Sequence, residues 1–159
     1  MNHWKKFKPK SCSVNLKAAD KDSALREIVD QLVKGSVLEA SLEAPAVRAL
    51  FEREKLASTG VGMGVAIPHV KLAGLQQVAC SLSVHQGGLQ WSAVDGEPVH
   101  ILFTVLRPER EGERHKDSEH IEMMSWVAQL ARTPDFRRFA VQAKTKTDLV
   151  ELLKEMSAV

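Results

Sequence analysis

The sequence predicts an α/β domain, a mixed β-sheet sandwiched between α-helices, with the whole of 1–159 forming a single unit. Three observations lead there. Helical stripes precede, interrupt and follow a small set of strands. The run Val99, His100, Ile101, Leu102, Phe103, Thr104, Val105, Leu106 is apolar on both faces at its centre, as an interior strand covered on both sides must be. A chain of 159 residues with 44% apolar content is long enough for one sizeable core and too apolar for disorder.

The elements follow in order. Lys5, Lys6, Lys8 and Lys10 make 1–12 a basic segment, expected to be solvated and flexible. Val14 and Leu16 suggest a short strand. Asp20 or Asp22 offers an N-cap, with Leu25, Ile28, Val29, Leu32 and Val33 at helical spacing and Gly35 at the stop. A second helix is predicted from near Ser41, where Pro45 is tolerated only in the first turn; Val47, Leu50 and Phe51 form its buried stripe and Arg53 sits near its end. Gly60, Gly62 and Gly64 break regular structure. Val65, Ala66 and Ile67 form a short extended piece stopped by Pro68. Val78, Cys80, Leu82 and Val84 alternate with Ala79, Ser81, Ser83 and His85, giving a strand with one strongly apolar face. Asp95 and Gly96 mark a turn. After Pro108 comes a charged loop over 109–116, with Arg110, Arg114, His115 and Lys116. Asp117 or Ser118 then caps a helix with the stripe Ile121, Met124, Val127, Ala128 and Ala131. Thr133 and Pro134 start another helix. Thr145 and Asp148 resemble a capping box before a last helix carrying Leu149, Val150, Leu152, Leu153 and Met156.

Composition excludes several functions. A net charge of +2 does not suggest a nucleic-acid protein, and 5% aromatic content without Tyr argues against a base-stacking or sugar-gripping platform. Cys12 and Cys80 match no metal or disulfide spacing and are expected to be reduced thiols in the cytoplasm. No run approaches the roughly 18 apolar residues of a membrane span, and no secretory signal opens the chain.

The chemistry concentrates between Arg53 and His69. An unperturbed imidazole titrates near pH ~6.5, so a neutral nucleophilic nitrogen is readily available near neutral pH. Arg53 is a planar fork suited to phosphate oxygens, Ser58 and Thr59 offer hydroxyls, and the backbone at Gly62 and Gly64 can approach an anion closely. Such parts hold a phosphoryl group on a histidine, a reaction that asks mostly for positioning and charge stabilisation. Of the other histidines, His115 is expected to be solvated and His100 to satisfy a buried hydrogen bond. A metal site from His69, His115 and His120 lacks a helical i, i+4 pair, and neither metal nor cofactor is expected.

The run Arg53, Glu54, Lys55, Leu56, then Thr59, then Gly64, Val65, Ala66, Ile67, Pro68, His69 resembles the signature of the enzyme IIA domains of the phosphoenolpyruvate-dependent phosphotransferase system, in the mannitol/fructose/nitrogen-regulatory family. Val94–Asp95–Gly96–Glu97–Pro98–Val99, Leu106–Arg107–Pro108–Glu109, Glu119–His120–Ile121 and Thr133–Pro134–Asp135–Phe136 are similar to further family segments. The resemblance runs from about Asp20 to the C-terminus. It implies that His69 is the phosphoryl acceptor, that Arg53 contacts the phosphate, and that His120 faces His69 and orients it or the phosphate.

By resemblance the protein is expected to be a cytoplasmic phosphocarrier, taking the group from a histidine-phosphorylated (HPr-like) carrier protein. It is expected to act as a transient phosphohistidine carrier, not as a turnover enzyme. A IIB component or a regulated target protein would be the onward partner; nucleic acid and membrane insertion are not expected. The lack of a fused IIB or IIC segment favours the nitrogen-regulatory branch, with a fructose or mannitol transport component as one alternative. A phosphorylation-independent binding module on the same fold is the other. Its motive is Met63 where a small polar residue is common, Val70 where glycine is usual, and the enlarged charged loop.

Overall fold

The computed structural model describes residues 2–110, 112 and 115–157. Its ten main elements are helix α1 (Lys21–Lys34), α2 (Glu43–Leu56), strands β1 (Gly60–Gly62), β2 (Val65–Ala66), β3 (His69–Leu72), β4 (Ala79–Leu89) and β5 (Val99–Pro108), then α3 (Asp117–Ala131), α4 (Pro134–Gln142) and α5 (Lys146–Ser157). The α/β class with a mixed sheet between helices holds.

β5 is the spine of the sheet. It pairs antiparallel with β4 on one side and parallel with both β2 and β3 on the other, and β1 pairs antiparallel with β2. The pairs Val65↔Ile101 and His69↔Val105 keep the same offset, so β2 and β3 are one strand line interrupted at Ile67 and Pro68. Proline has no N–H to give the ladder. The Ile67 N–H turns away to Thr59 O at 2.9 Å, while Val105 N returns to Pro68 O at 2.9 Å.

Side chains of a strand alternate between faces. Val65, Ile67, Ile101, Phe103 and Val105 join Met123 and Val127 of α3, Phe136 of α4 and Leu149 and Leu153 of α5 in one core. Ala66, Leu72, Leu102 and Leu106 join α1 and α2 through Leu25, Ile28, Leu32, Val47 and Leu50 in the other. The interior strand is therefore covered on both faces, as its sequence predicts.

The local signals hold where a local bond enforces them. Asp20 caps α1, accepting from Ser23 N at 2.8 Å. Thr145 and Asp148 form the reciprocal capping box at 3.2 and 3.0 Å. Gly35 does end α1, but at φ −81°; the left-handed residue is Ser36. Glycine is required at 35 for space, since a Cβ there would lie 2.4 Å from Ser11 Oγ.

Four expectations need correction. The basic segment is not a loose tail: Phe7 is buried, edge-on to Phe103. Residues 7 and 13 bridge to β4 through Cys80 and Ser83, covering its outer edge. That cover also changes β4, in which 79–84 are all buried: Ser81 Oγ donates to Ser11 O at 2.5 Å. The stripe of α3 is rotated. Met123, Val127, Leu130 and Ala131 face the core, whereas Ile121 is 68% exposed. Among the described residues no side chain caps α3, whose N-cap position is Lys116. Of the charged loop, 111, 113 and Arg114 lie outside the described residues.

Candidate functional site

His69 opens β3 just past the Ile67–Pro68 break and is half-buried. Its Nδ1 lies 2.6 Å from Ile67 O. A carbonyl only accepts, so Nδ1 carries the proton and Nε2 keeps its lone pair. The break thus sets the tautomer: the Ile67 carbonyl is held because the Ile67 N–H is bonded to Thr59 O.

Thr59 is itself anchored. Glu54, at the end of α2, accepts from Thr59 N at 3.1 Å, from the Thr59 hydroxyl, and from Lys21 Nζ at 3.0 Å. Trp91 Nε1 donates to Thr59 Oγ1 at 3.1 Å, and Lys21 Nζ sits 5.1 Å above the Trp91 ring. Glu54 is only 7% exposed in its side chain and Thr59 3%. Ser58 Oγ donates to Trp91 O at 2.8 Å and accepts from Gly60 N at 3.1 Å. Both hydroxyls expected to meet a phosphate are therefore engaged in holding the loop. Glu54 enters the sequence reading only within the Arg53–Leu56 run, and Lys21 and Trp91 not at all, because no local pattern links positions 21, 54 and 91.

The glycine turn runs through left-handed backbone at Gly62 (φ +93°), Met63 (φ 59°) and Gly64 (φ +75°). Gly64 O accepts from both His100 N and Ile101 N, at 2.8 and 3.0 Å. The Met63 N–H is taken by Asp95 Oδ2 at 3.0 Å. Bonds from Glu97 N and Met63 N hold the Asp95 carboxyl below its ordinary range. Met63 itself is 44% exposed, its sulfur 3.6 Å from Arg137 Nη1. Arg53 lies in the last turn of α2, where Nη1 donates to Ala57 O at 2.8 Å, a bond that also complements the negative end of the helix.

His120 is in the first turn of α3. Burial pushes its pKa down to about 4, helped by electrostatic interaction with Arg107, His69 and His115 and opposed by Asp117. His69, Arg107 and His115 are thus near neighbours of His120, which is neutral at pH 7. Its Nδ1 is buried without a hydrogen-bond partner among the described residues. His115, expected to be solvated, is only 5% exposed, with Nε2 3.4 Å from Asp117 Oδ1. Asn2, His3, Lys6, His115, Glu119 and Met123 help line a cavity of about 80 Å³ behind His120, so the N-terminal segment backs the site. His100 meets its expectation through Nδ1, 3.0 Å from His85 O. Among the described residues no three His, Cys, Asp or Glu groups converge as metal ligands, and no helix is long and apolar enough to cross a membrane.

Comparison with known proteins agrees with this architecture. The family model described as phosphoenolpyruvate-dependent sugar phosphotransferase system, EIIA 2, matches residues 5–156. A nitrogen regulatory protein of Bradyrhizobium diazoefficiens is 32% identical over 130 residues, 82% of this chain and 80% of that one. A fructose-specific EIIA component of Haloferax volcanii is 28% identical over 138 residues, 87% and 85% of the two chains. The chain spans 21% of the fructose-specific EIIABC component of Bacillus subtilis, at 25% identity over 143 residues and 89% of this chain. Among solved structures, nitrogen regulatory protein IIA-Ntr of Neisseria meningitidis superposes with TM-score 0.82 at 27% identity, covering 94% of this chain and 97% of that one. The mannitol IIA of Escherichia coli, in complex with phosphorylated mannitol IIB, shares the fold with TM-score 0.69 at 19% identity over 92% and 95%. With a family match over nearly its whole length, the chain belongs to the EIIA 2 family of the phosphoenolpyruvate-dependent sugar phosphotransferase system.

Proposed function

We propose that this protein is a phosphocarrier that accepts a phosphoryl group on Nε2 of His69. The observation that carries the reading is the Nδ1 to Ile67 O bond of 2.6 Å, which leaves Nε2 as the nucleophile on a half-buried ring at the sheet rim. The Nε2 lone pair forms the new N–P bond as the P–N bond of a donor phosphohistidine breaks, and the electron pair returns to the donor imidazole. Nδ1 keeps its proton throughout. No proton need move, so the protein supplies position and charge stabilisation.

The donor fitting this chemistry is a histidine-phosphorylated carrier protein of the HPr type. His120, neutral at pH 7, offers the phosphoryl oxygens a hydrogen bond without the solvation cost of a buried cation. Arg53 contributes the donors that Ala57 O does not use. Ser58 and Thr59 act through the loop they hold, and Gly62 and Gly64 through the turn they permit.

The nitrogen-regulatory relatives favour a regulatory role in the cytoplasm. In that role the phosphoryl group, about −1.5 to −2 charge, changes which partner binds the rim around Val61, Met63 and Ile121. A IIB component is the onward partner if the chain serves sugar transport instead. The exposed Met63 and Ile121 also favour a second reading, a docking module that works without phosphorylation.

Incubation with phosphoenolpyruvate and the upstream phosphotransfer proteins tests the proposal. Acid-labile, base-stable label is expected on the wild type and is lost in His69→Ala. Label retained in that variant would reject the assignment. An unlabelled wild type that still captures a partner would favour the docking module.

A further inference from the structure

We infer that Arg107 is a phosphate-binding residue of the His69 site, a second guanidinium supplied by the central strand. The inference rests on reading His69 as the phosphoryl acceptor. The strand register carries it. His69 stands opposite Val105 in the parallel pair of β3 with β5, and Arg107 is two residues further on. Residues directly opposite share a face, and so do residues two apart along a strand. His69, Val105 and Arg107 therefore project from the same side of the sheet, the side on which Val105 and Ile67 pack with Met123 of α3. A strand spacing of about 4.8 Å and a rise of about 3.3 Å per residue put the Cα atoms of His69 and Arg107 roughly 8 Å apart. An arginine side chain spans most of that distance.

The surroundings agree. Arg107 Nη1 lies 3.4 Å from Asp117 Oδ1, at the first residue of α3 and one helical turn before His120. That contact is long, and Asp117 is half exposed, so it is weak. The Arg107 side chain is 23% exposed, so it is neither sealed in the core nor free on the surface. It borders His120 closely enough to help keep that ring neutral. A phosphoryl group on Nε2 of His69 would bring up to two negative charges into reach of this fork, whose paired N–H groups match two phosphate oxygens. Arg53 arrives from the helical layer on the opposite side of the sheet, where α1 and α2 pack. The two arginines would grip the same dianion from the two layers.

Phosphoramidate tests this without partner proteins. The Nε2 lone pair forms the N–P bond as the P–N bond of phosphoramidate breaks, and ammonia leaves with the electron pair. Initial rates of His69 labelling are compared in wild type, R107Q, R107K and D117N. R107Q is expected to be slower by about tenfold or more, the effect of one lost charge-assisted bond, with R107K partly restored. D117N, which removes the contact from its other end, should stay within about twofold, because the guanidinium remains. In R107Q the His120 pKa, followed by NMR, rises as a positive neighbour is lost. Wild-type labelling with R107Q unchanged would overturn the assignment of Arg107 alone. So would equal losses in R107Q and D117N, which would mean that Arg107 acts by holding α3. A wild type that takes no label on His69 would instead refute the phosphocarrier reading, and this inference with it.

Discussion

Truncating Glu54 to alanine is expected to reach His69 through four linked groups. The carboxylate accepts from Thr59 N at 3.1 Å, from the Thr59 hydroxyl and from Lys21 Nζ at 3.0 Å. Thr59 is 3% exposed, so water cannot replace the lost acceptor at its amide without loop movement. An orphaned buried donor costs about 1–3 kcal/mol and breaking a buried ion pair about 3–5. Lys21 retains some access to water and its place over Trp91, which moves the figure to the low end, about 3 kcal/mol. For a chain of this length that is a fall in Tm of roughly 6–12 °C. E54Q keeps an oxygen for the Thr59 amide and should lose about half as much. The loss should also spread along Thr59 O to Ile67 N and Ile67 O to His69 Nδ1, mixing the two imidazole tautomers. Calorimetry gives the first readout and the 15N shifts of the His69 ring give the second. A drop under about 1 kcal/mol, or a full drop with an unchanged His69 ring signature, would refute the linkage.

Two further outcomes follow from the same geometry. The His120 pKa of about 4 lies below its unfolded value near 6.5, so the unfolded state binds more protons between them; the stability this ring contributes is complete above pH ~6.5 and is lost as pH falls toward 4. Denaturant titrations at pH 7 and pH 4.5 should show wild type losing more than H120Q, and a His120 resonance titrating near 6.5 would contradict this. Arg53→Ala should fold, lose the bond to Ala57 O, and transfer phosphoryl about ten- to a hundredfold more slowly, the worth of a 1.5–3 kcal/mol contact. Wild-type rates in that variant would show that other groups hold the phosphate.

What could be read in advance divides by the range of the forces involved. Asp20 capping α1 and the Thr145–Asp148 box act within four residues, and the sequence alone reveals them. His69 and His120 were singled out through resemblance to a family motif. Spacing by itself says little about either, since nothing local links positions 69 and 120. The stripe of α3 was misread because periodicity counts every apolar residue as buried. Ile121 lies at the end where the helix leaves the core for the rim, so Met123 takes the inner position. The N-terminal segment was misread for the opposite reason. Its lysines dominate the composition, whereas the burial of Phe7 and Cys12 fixes the segment and lets residues 7 and 13 bridge to the edge of β4.

The sequence by itself determined the layers, the interior strand, the caps of α1 and α5 and the position of a histidine after a proline break, because each depends on side-chain pattern or on bonds between near neighbours. Only the tertiary structure decided that Glu54 and Lys21 reach across two helices to clamp Thr59, and that β5 pairs in the register placing Arg107 on the face of His69. Strand register and helix packing are settled by contacts between residues tens of positions apart, whose free energy appears only when both halves of the core are buried together.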